Sequence, residues 1–557
     1  MNIMLASCNA KYIHKNLAIR WLYTTSPCKE DVIIKEYTIK DDVKRITKEI
    51  MEQGVDVLCL STYIWNIEIH KALIKTIKAL KPEIHVIVGG PEVTYESYDL
   101  LEEGVDAICI GEGEKCIWEY IEMLKQPVAY EVKGMYTKAY PNKEYQRVDL
   151  TWLESFDDPY FMEMDQSHMK DRYLYLETSR GCPYGCTYCL SSADRCVRMF
   201  SDDYVFHLLE KIKDSDVKQV KLLDRTFNSN PKRALAIARY MNTYCVNQIF
   251  QFEIVAETLS EELLDFFCEE ADDTRFRFEI GVQSFHQQTL ESVGRIQNNK
   301  RLKEVIERLR KAGCTMHVDL IAGLPYEDLE CFHKSYDELF ALQASEVQLG
   351  ILKLLKGTKL KSQQEEYGFQ YSIIPPYDIQ KTNWLSEEEL QSIHHCADAT
   401  EKFWNSGKLR YTLSQVLKQG WYTSPFTMFM ALGKAYAKLP RPYQPYQLFT
   451  CVKDILKDQD EMMVDALLLM EYYAIHKQRP KRFIKSYVSL EKKKELMYHC
   501  VDAGIGNQDQ LFRYGLIDLG YDNGHICYQL VVYNTSQSYP KQYLIDKDTL
   551  EIKEWKR

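Results

Sequence analysis

Apolar residues follow two rhythms along the first third of the chain. Unbroken apolar runs occupy residues 3–6, 32–37, 57–60, 86–88 and 107–110. Between them, apolar positions recur at helical spacing over 17–23, 42–53, 67–80, 97–103 and 116–125. Continuous apolar runs predict strands buried on both faces of a parallel sheet, and the slower rhythm predicts helices packed against it. The register repeats internally. Glu52-Gln53-Gly54-Val55-Asp56-Val57 is echoed by Glu102-Glu103-Gly104-Val105-Asp106-Ala107, each a helix closed by glycine and followed directly by a strand. A doubly wound, Rossmann-like α/β domain is predicted over residues 1–130. Ligands in such sheets bind beyond the carboxyl ends of the strands. Those ends read Ser61-Thr62-Tyr63-Ile64-Trp65-Asn66, Gly89-Gly90-Pro91-Glu92 and Gly111-Glu112-Gly113-Glu114. Paired glycines let a bulky ligand approach the backbone.

Residues 131–167, broken by Gly134, Pro141 and Pro159, read as a linker. Strand patterns then resume at 173–177, 219–223, 251–255, 275–281, 315–321 and 347–352, with helical stretches between them. Six βα units predict a partial (β/α)6 TIM-like barrel over 168–395, with functional groups at the carboxyl ends of its strands. The remaining residues, 396–557, predict a mainly helical extension. Its helices fall at 411–419, 425–439 and 461–476, with a closing strand pair at 525–533 and 542–554. Trp384, Trp404 and Trp421 read as core. His394-His395-Cys396 is not a metal site on this pattern, because neighbours on a helix diverge.

The chain has 557 residues, 45% of them hydrophobic, enough to build sizeable cores. That length suits about three domains. A formal charge of −11 shows no basic excess, so no nucleic-acid partner is expected. Residues 1–6 have neither a charged leader region nor a long apolar stretch, and no run approaches the ~18 apolar residues of a membrane span. Seventeen cysteines are therefore expected as reduced thiols in a cytoplasmic protein.

The densest chemistry lies in Arg180-Gly181-Cys182-Pro183-Tyr184-Gly185-Cys186-Thr187-Tyr188-Cys189-Leu190, a CxxxCxxC array. Thiolates suit iron–sulfur clusters or zinc. Three cysteines leave one iron of a cubane open, whereas a closed zinc site wants a fourth ligand. Cys196, seven residues on, could serve only through a loose loop. Gly181 and Gly185 free the backbone to wrap a cluster, and Pro183 stiffens it. This stretch resembles the signature of the radical S-adenosylmethionine (SAM) enzymes. The resemblance implies that Cys182, Cys186 and Cys189 hold a [4Fe-4S] cluster. Its open iron would chelate SAM, and Tyr188 would pack on adenine.

Further strings carry the resemblance through the middle of the chain. Asp224-Arg225-Thr226 stands where many members have a Gly-Gly-Glu that binds the SAM amino group. Gly281-Val282-Gln283-Ser284 and Asp319-Leu320-Ile321-Ala322-Gly323-Leu324-Pro325 resemble the anaerobic coproporphyrinogen oxidase branch. By this likeness Gly323 and Pro325 support adenine, while Gln283 and Asp319 face the ribose or methionyl group. Glu253 and Glu279 fall in strands that read as buried, where a carboxylate needs a partner, and are expected to meet ligand. Lys356-Gly357-Thr358 is expected to close the core; it is not a phosphate loop, since no GxxxxGK precedes it.

Placed before such a core, the first domain resembles the cobalamin-binding domain of the cobalamin-dependent radical SAM enzymes. That implies Ser61 and Gly89-Gly90 along the nucleotide tail and Tyr63 and Trp65 near the lower face of the corrin. Glu92, Gly111 and Glu112 complete the expected contacts. The loop Ser7-Cys8-Asn9-Ala10-Lys11-Tyr12-Ile13-His14 lacks the DxHxxG motif, so no lower axial histidine is assured. The tail resembles an uncharacterised extension of some members of that family. The implied cofactors are a 4Fe-4S cluster, S-adenosyl-L-methionine and cobalamin, with an external electron donor such as flavodoxin or ferredoxin. The implied activity is methylation of an unactivated carbon through a 5′-deoxyadenosyl radical and methylcobalamin. Two other readings stay open: a cyclase, oxidase or rearrangement enzyme with the same cofactors, and a non-catalytic cobalamin or cluster sensor. No motif names a catalytic residue or a substrate.

Overall fold

The computed structural model describes residues 1–533 and 540–556. Packing divides the chain into two units: residues 1–328 with 351–386, and residues 329–350 with 387–557.

The first unit is built on two large sheets. In the first, the five predicted strands all form and run parallel in the order Val32–Thr38, Ile3–Asn9, Val57–Ser61, His85–Gly89, Ala107–Cys109. Ile3–Asn9 is buried at every residue, which is why it reads as an apolar run without alternation. Isoleucines and valines of Val43–Glu52 and Ile67–Leu80 fill one face of this sheet. Leu17–Thr24 and Cys116–Leu124 cover the other. The helix expected at 97–103 is only a short 3-10 turn, Tyr98–Leu101, because so short a segment gains too few hydrogen bonds to propagate.

The linker expected at 131–167 is instead built into the domain. Met135–Tyr136 adds a sixth, antiparallel strand beside Ala107–Cys109. Further on, Asp165 is buried and accepts from both Nε and Nη2 of Arg20, which also pairs with Glu36 at 2.9 Å. A buried carboxylate held in this way fixes its segment, and nothing in the local composition announces it.

The second sheet of this unit is parallel and ordered as the chain runs: Leu174–Leu176, Gln219–Leu222, Ile249–Ile254, Phe276–Gln283 and Thr315–Ala322. Its strands alternate. Phe250, Phe252, Phe276, Phe278, Met316 and Val318 are fully buried, whereas Gln251, Glu253, Arg277, Glu279, His317 and Asp319 are half-buried on the opposite face. This corrects the expectation that Glu253 and Glu279 lie in strands buried throughout. One face packs on helices, and the other is a polar concave wall. The sixth predicted strand forms as Glu346–Ile351.

From residue 387 the second unit is helical up to residue 514 and then turns into a four-stranded antiparallel meander of Gly515–Asp522, His525–Val532, Lys541–Ile545 and Ile552–Trp555. The expected strand pair is thus part of a larger sheet. Gly515–Asp522 escaped the pattern because Asp518 and Gly520 break its apolar run; Asp518 is buried and accepts from Tyr473 and Arg479. Among the described residues, no helix is long and apolar enough to cross a membrane.

Candidate functional site

The cysteine loop leaves the barrel through a two-stranded neck, in which Ser179–Arg180 pairs with Arg198–Met199. Gly181 has φ +94°, and a Cβ there would lie 2.2 Å from the carbonyl of Cys196, so only glycine lets the neck close. The Cys182 amide donates to the Asp194 carbonyl at 3.1 Å, and the Thr187 amide to the Val293 carbonyl at 2.9 Å. Cys186 is buried, Cys182 and Cys189 are half-buried, and Cys196 is exposed. Burial pushes the Cys182 thiol up, the Tyr184 amide and Thr226 hydroxyl pull it back, and Cys189 and Cys186 add to the rise. The three sulfurs therefore sit in one another's field.

Among the described residues, no three His, Cys, Asp or Glu side chains converge tightly enough for a single metal ion. A cubane has no such need, because each thiolate takes a separate iron. The donor set, three soft thiols and no fourth, fits the cluster.

Asp224 lies beneath this loop. Its carboxylate accepts from the Thr178 amide at 2.8 Å, from the Thr178 hydroxyl and from the Ser179 hydroxyl at 2.7 Å. It is 1% exposed and braces the strand entering the loop. The adjacent wall is richer in acceptors. Strand register sets Glu253 beside Glu279 and Gly281 beside Asp319. The Gln251 amide donates to Glu279, and Arg225 lies 3.8 Å from Glu253. Gln283, at φ +68° in a bulge, folds back over Gly281. Gln283 Oε1 and Asp319 Oδ1 are buried acceptors with no protein donor. Unmet acceptors in such a wall suit a ligand that brings N–H or O–H groups. Gly323, at φ +94°, and Pro325 form a buried turn, with Ile379 and Leu352 closest to Gly323.

Tyr188 is half-buried beside Cys186 and Arg295; desolvation, opposed by Arg295, holds its hydroxyl protonated well above the usual range. Arg295 escaped the sequence reading. It donates to the Gly281 carbonyl and, at 2.7 Å, to Gln297. Burial disfavours its charge, but Tyr188, Cys186 and Glu257 outweigh that. A lone Gly-Arg pair between helices carries no signal by itself; only the fold brings it to the cysteine loop.

At the carboxyl edge of the first sheet, Tyr63 and Trp65 stack with ring centroids 4.4 Å apart and planes 9° from parallel. Trp65 is 48% exposed, so the pair offers an open flat face, a fit for a planar macrocycle. Ser61 accepts from Asn16, which also donates to Ser7. Gly90, at φ +110°, would place a Cβ 2.5 Å from the Thr62 carbonyl; Gly111, at φ +94°, would place one 2.5 Å from the Gln146 carbonyl. The protein's own backbone thus already demands glycine at both. Gly89 packs on Cys109. Glu92 is held by Lys356 at 3.2 Å and by the Tyr377 hydroxyl. Glu112 is held by Arg198, by Arg180 and by the Val148 amide. His14 Nδ1 lies 2.6 Å from the Tyr175 hydroxyl on the barrel.

Two family models match these parts of the chain. Residues 7–119 match the B12 binding domain model, and residues 176–339 match the Radical SAM superfamily model. The chain is a cobalamin-dependent radical SAM enzyme. Its cofactors are a 4Fe-4S cluster, SAM and cobalamin. Residues 365–518 match a protein family of unknown function, DUF4080.

Other cobalamin-dependent radical SAM enzymes and named methyltransferases are similar in sequence. The 2-(S-pantetheinyl)-carbapenam-3-carboxylate methyltransferase of Streptantibioticus cattleyicolor is 23% identical over 461 residues, 70% of this chain and 64% of that protein. The cobalamin-dependent radical SAM methyltransferase TokK of Streptomyces tokunonensis is 25% identical over 57% of this chain and 50% of its own length. An uncharacterised methyltransferase of Pyrococcus horikoshii is 23% identical over 57% of this chain and 71% of its own length. The match therefore spans less than two thirds of the length of the Streptantibioticus and Streptomyces relatives. Among solved structures, OxsB with aqua-cobalamin and SAM bound has a similar fold, with a TM-score of 0.59, 15% identity, and coverage of 85% of this chain and 79% of that one. TsrM from Kitasatospora setae, a radical SAM methyltransferase bound to tryptophan and a SAM analogue, has a TM-score of 0.55 at 16% identity, covering 68% and 80%.

Proposed function

We propose that this enzyme methylates an unactivated carbon of its substrate. Cys182, Cys186 and Cys189 would hold the cluster. Tyr188, Gln283, Glu253, Glu279, Asp319 and the Gly323–Pro325 turn would contact SAM, whose carboxylate would meet Arg295. Tyr63 and Trp65 would lie against cobalamin, above Ser61 and the Gly89-Gly90 turn. When bound, the cluster and SAM supply a hydrogen-abstracting radical, and cobalamin supplies a transferable methyl group. The protein's part is to place these groups and exclude water. Asp224 steadies the loop entrance through Thr178 and Ser179, and the unmet acceptors of Gln283 and Asp319 orient a donor-rich ligand. The carrying observation is that one unit joins the two sites: Arg180, in the neck of the cysteine loop, pairs with Glu114 at 2.8 Å and Glu112 at 3.4 Å at the edge of the first sheet. Electrons would come from an external donor such as flavodoxin or ferredoxin, in the cytoplasm.

Anaerobic reconstitution with iron, sulfide and hydroxocobalamin tests the reading. Stoichiometric cobalamin retained beside cluster absorption supports it, and so does a product heavier by one methylene formed with two SAM consumed. A cluster without cobalamin, or a product without added methyl, removes it.

The acidic wall makes binding depend on pH. Burial pushes the Glu253 carboxyl up to about 7; Arg225 opposes this, and Glu279, Asp319 and Asp224 add to it. Burial and then Glu279 push Asp319 up to about 7. The folded protein thus holds protons that the unfolded chain releases near ~4. Stability from these groups is present at low pH and declines as pH rises toward 7. A cationic ligand favours the ionised forms, so SAM affinity is expected to tighten as pH rises from 6 to 8, by up to about tenfold per unit for each proton released. Equilibrium dialysis of cluster-loaded protein measures this. Glu253→Gln should flatten the slope; a slope unchanged in the variant counts against the assignment.

A further inference from the structure

The turn over 356–361, read from the sequence only as closing the core, touches both sites at once. On one side it grips the loop after strand His85–Gly89. Lys356 Nζ lies 3.2 Å from Glu92 Oε1 and donates to Ser97 Oγ at 2.9 Å. The Gly357 amide donates to Glu96 Oε1 at 3.2 Å, and Lys361 Nζ donates to Glu96 Oε2 at 2.7 Å. Gly357, at φ +76°, lies under the ring of Tyr95, where a Cβ would come within 2.3 Å of the ring carbon Cγ. On the other side, the Leu360 amide donates at 2.9 Å to the carbonyl of Thr187, the residue between Cys186 and Tyr188. The short helix Lys359–Ser362, capped by Thr358, stiffens the link between the two grips. Glu92 is 5% exposed and also accepts from Tyr377, so its carboxylate already has two partners within the barrel half of the unit.

We propose that this turn is a clamp that makes the occupancy of the first-sheet site and the geometry of the cysteine loop interdependent, with Lys356, Lys361 and Glu96 as positioning residues. The inference rests on the reading of those two places as the cobalamin and SAM sites. A loop gripped by three hydrogen-bonding groups cannot adjust to a large ligand without moving the helix that holds the Thr187 carbonyl. Thr187 in turn is tied through its amide to Val293, two residues before Arg295. Coupling of this kind is reciprocal, so it is measurable from either ligand.

The test uses the full chain carrying its cluster, without turnover. SAM affinity is measured by anaerobic equilibrium dialysis with and without saturating hydroxocobalamin. In the wild type, cobalamin is expected to change SAM affinity about fivefold or more. In Glu96→Ala the factor should fall below about twofold, while cluster content and SAM affinity without cobalamin stay at wild-type values. A purely structural role for Glu96 would shift those baselines and leave the factor intact. The Glu96 side chain is 53% exposed, so the variant is expected to fold; Lys361→Met, removing the same pair from the other side, provides a second reading. SAM affinity that ignores cobalamin in the wild type overturns the clamp and leaves the proposed function standing, as does a full factor retained in both variants. A wild type that retains no cobalamin overturns both.

Discussion

Replacing Cys186 with alanine is expected to abolish reductive cleavage of SAM while leaving cobalamin bound. Cys186 is the buried member of the three, flanked by Tyr188 and close to Arg295, so no solvent ligand can stand in for it. Two remaining thiolates cannot hold the three irons that three thiolates hold, and oxygen or nitrogen donors are poor substitutes for a soft ligand. The loss should be at least about a thousandfold, since the acceleration such an enzyme supplies, about a millionfold or more, runs through this cofactor. Production of 5′-deoxyadenosine by the reduced protein is the readout. Cobalamin absorbance after desalting is the control, because the stacked Tyr63–Trp65 pair and the first sheet do not depend on Cys186. Wild-type cleavage in the variant would remove Cys186 from the cluster.

The second large effect is on stability. Arg180 is 13% exposed and lies among Glu112, Glu114 and Glu177, with the last two at 2.8 and 3.0 Å. Burial disfavours its charge, yet Glu114, Glu177 and Glu112 together hold the guanidinium firmly protonated. Arg180→Met would leave these carboxylates, Glu114 only 8% exposed, without that cation. Breaking a buried pair from one side typically costs about 3–5 kcal/mol, because the remaining charge is stranded. The urea midpoint of the variant should fall accordingly, and cluster content should fall with it, since Arg180 precedes Gly181 and Cys182 in the loop's neck. Adding Glu114→Gln should recover part of the loss, because it removes a stranded charge. If the double variant is no more stable than the single, the penalty lies elsewhere in the neck.

Much of the architecture was legible in the sequence. The five strands of the first sheet announce themselves because a strand buried on both faces must be apolar at every position. The barrel strands formed where strands were expected, but Glu253 and Glu279 read as buried, and only the fold shows that these strands alternate, one face on helices and one on a polar wall. The cysteine loop was legible because thiolate ligation leaves little freedom in spacing. Local pattern failed where partners are far apart in the chain. The segment 131–167 looks like a linker until Asp165 is seen buried against Arg20, 145 residues away. Glu92 and Glu112 sit where ligand contacts were expected, yet their nearest partners in this fold are Lys356, Tyr377, Arg198 and Arg180.

What the chain determined by itself is the cofactor chemistry and the order of its domains, because these depend on residue type and short-range periodicity. Tertiary structure alone decided which charges neutralise one another and which acceptors stay open. Gln283 and Asp319 keep unmet side-chain oxygens because no donor of the fold reaches them, while Glu112 is satisfied because the neck folds Arg198 back onto it. Burial and pairing are properties of the assembled surface, and they separate an open ligand wall from a closed structural tie made of the same residue types.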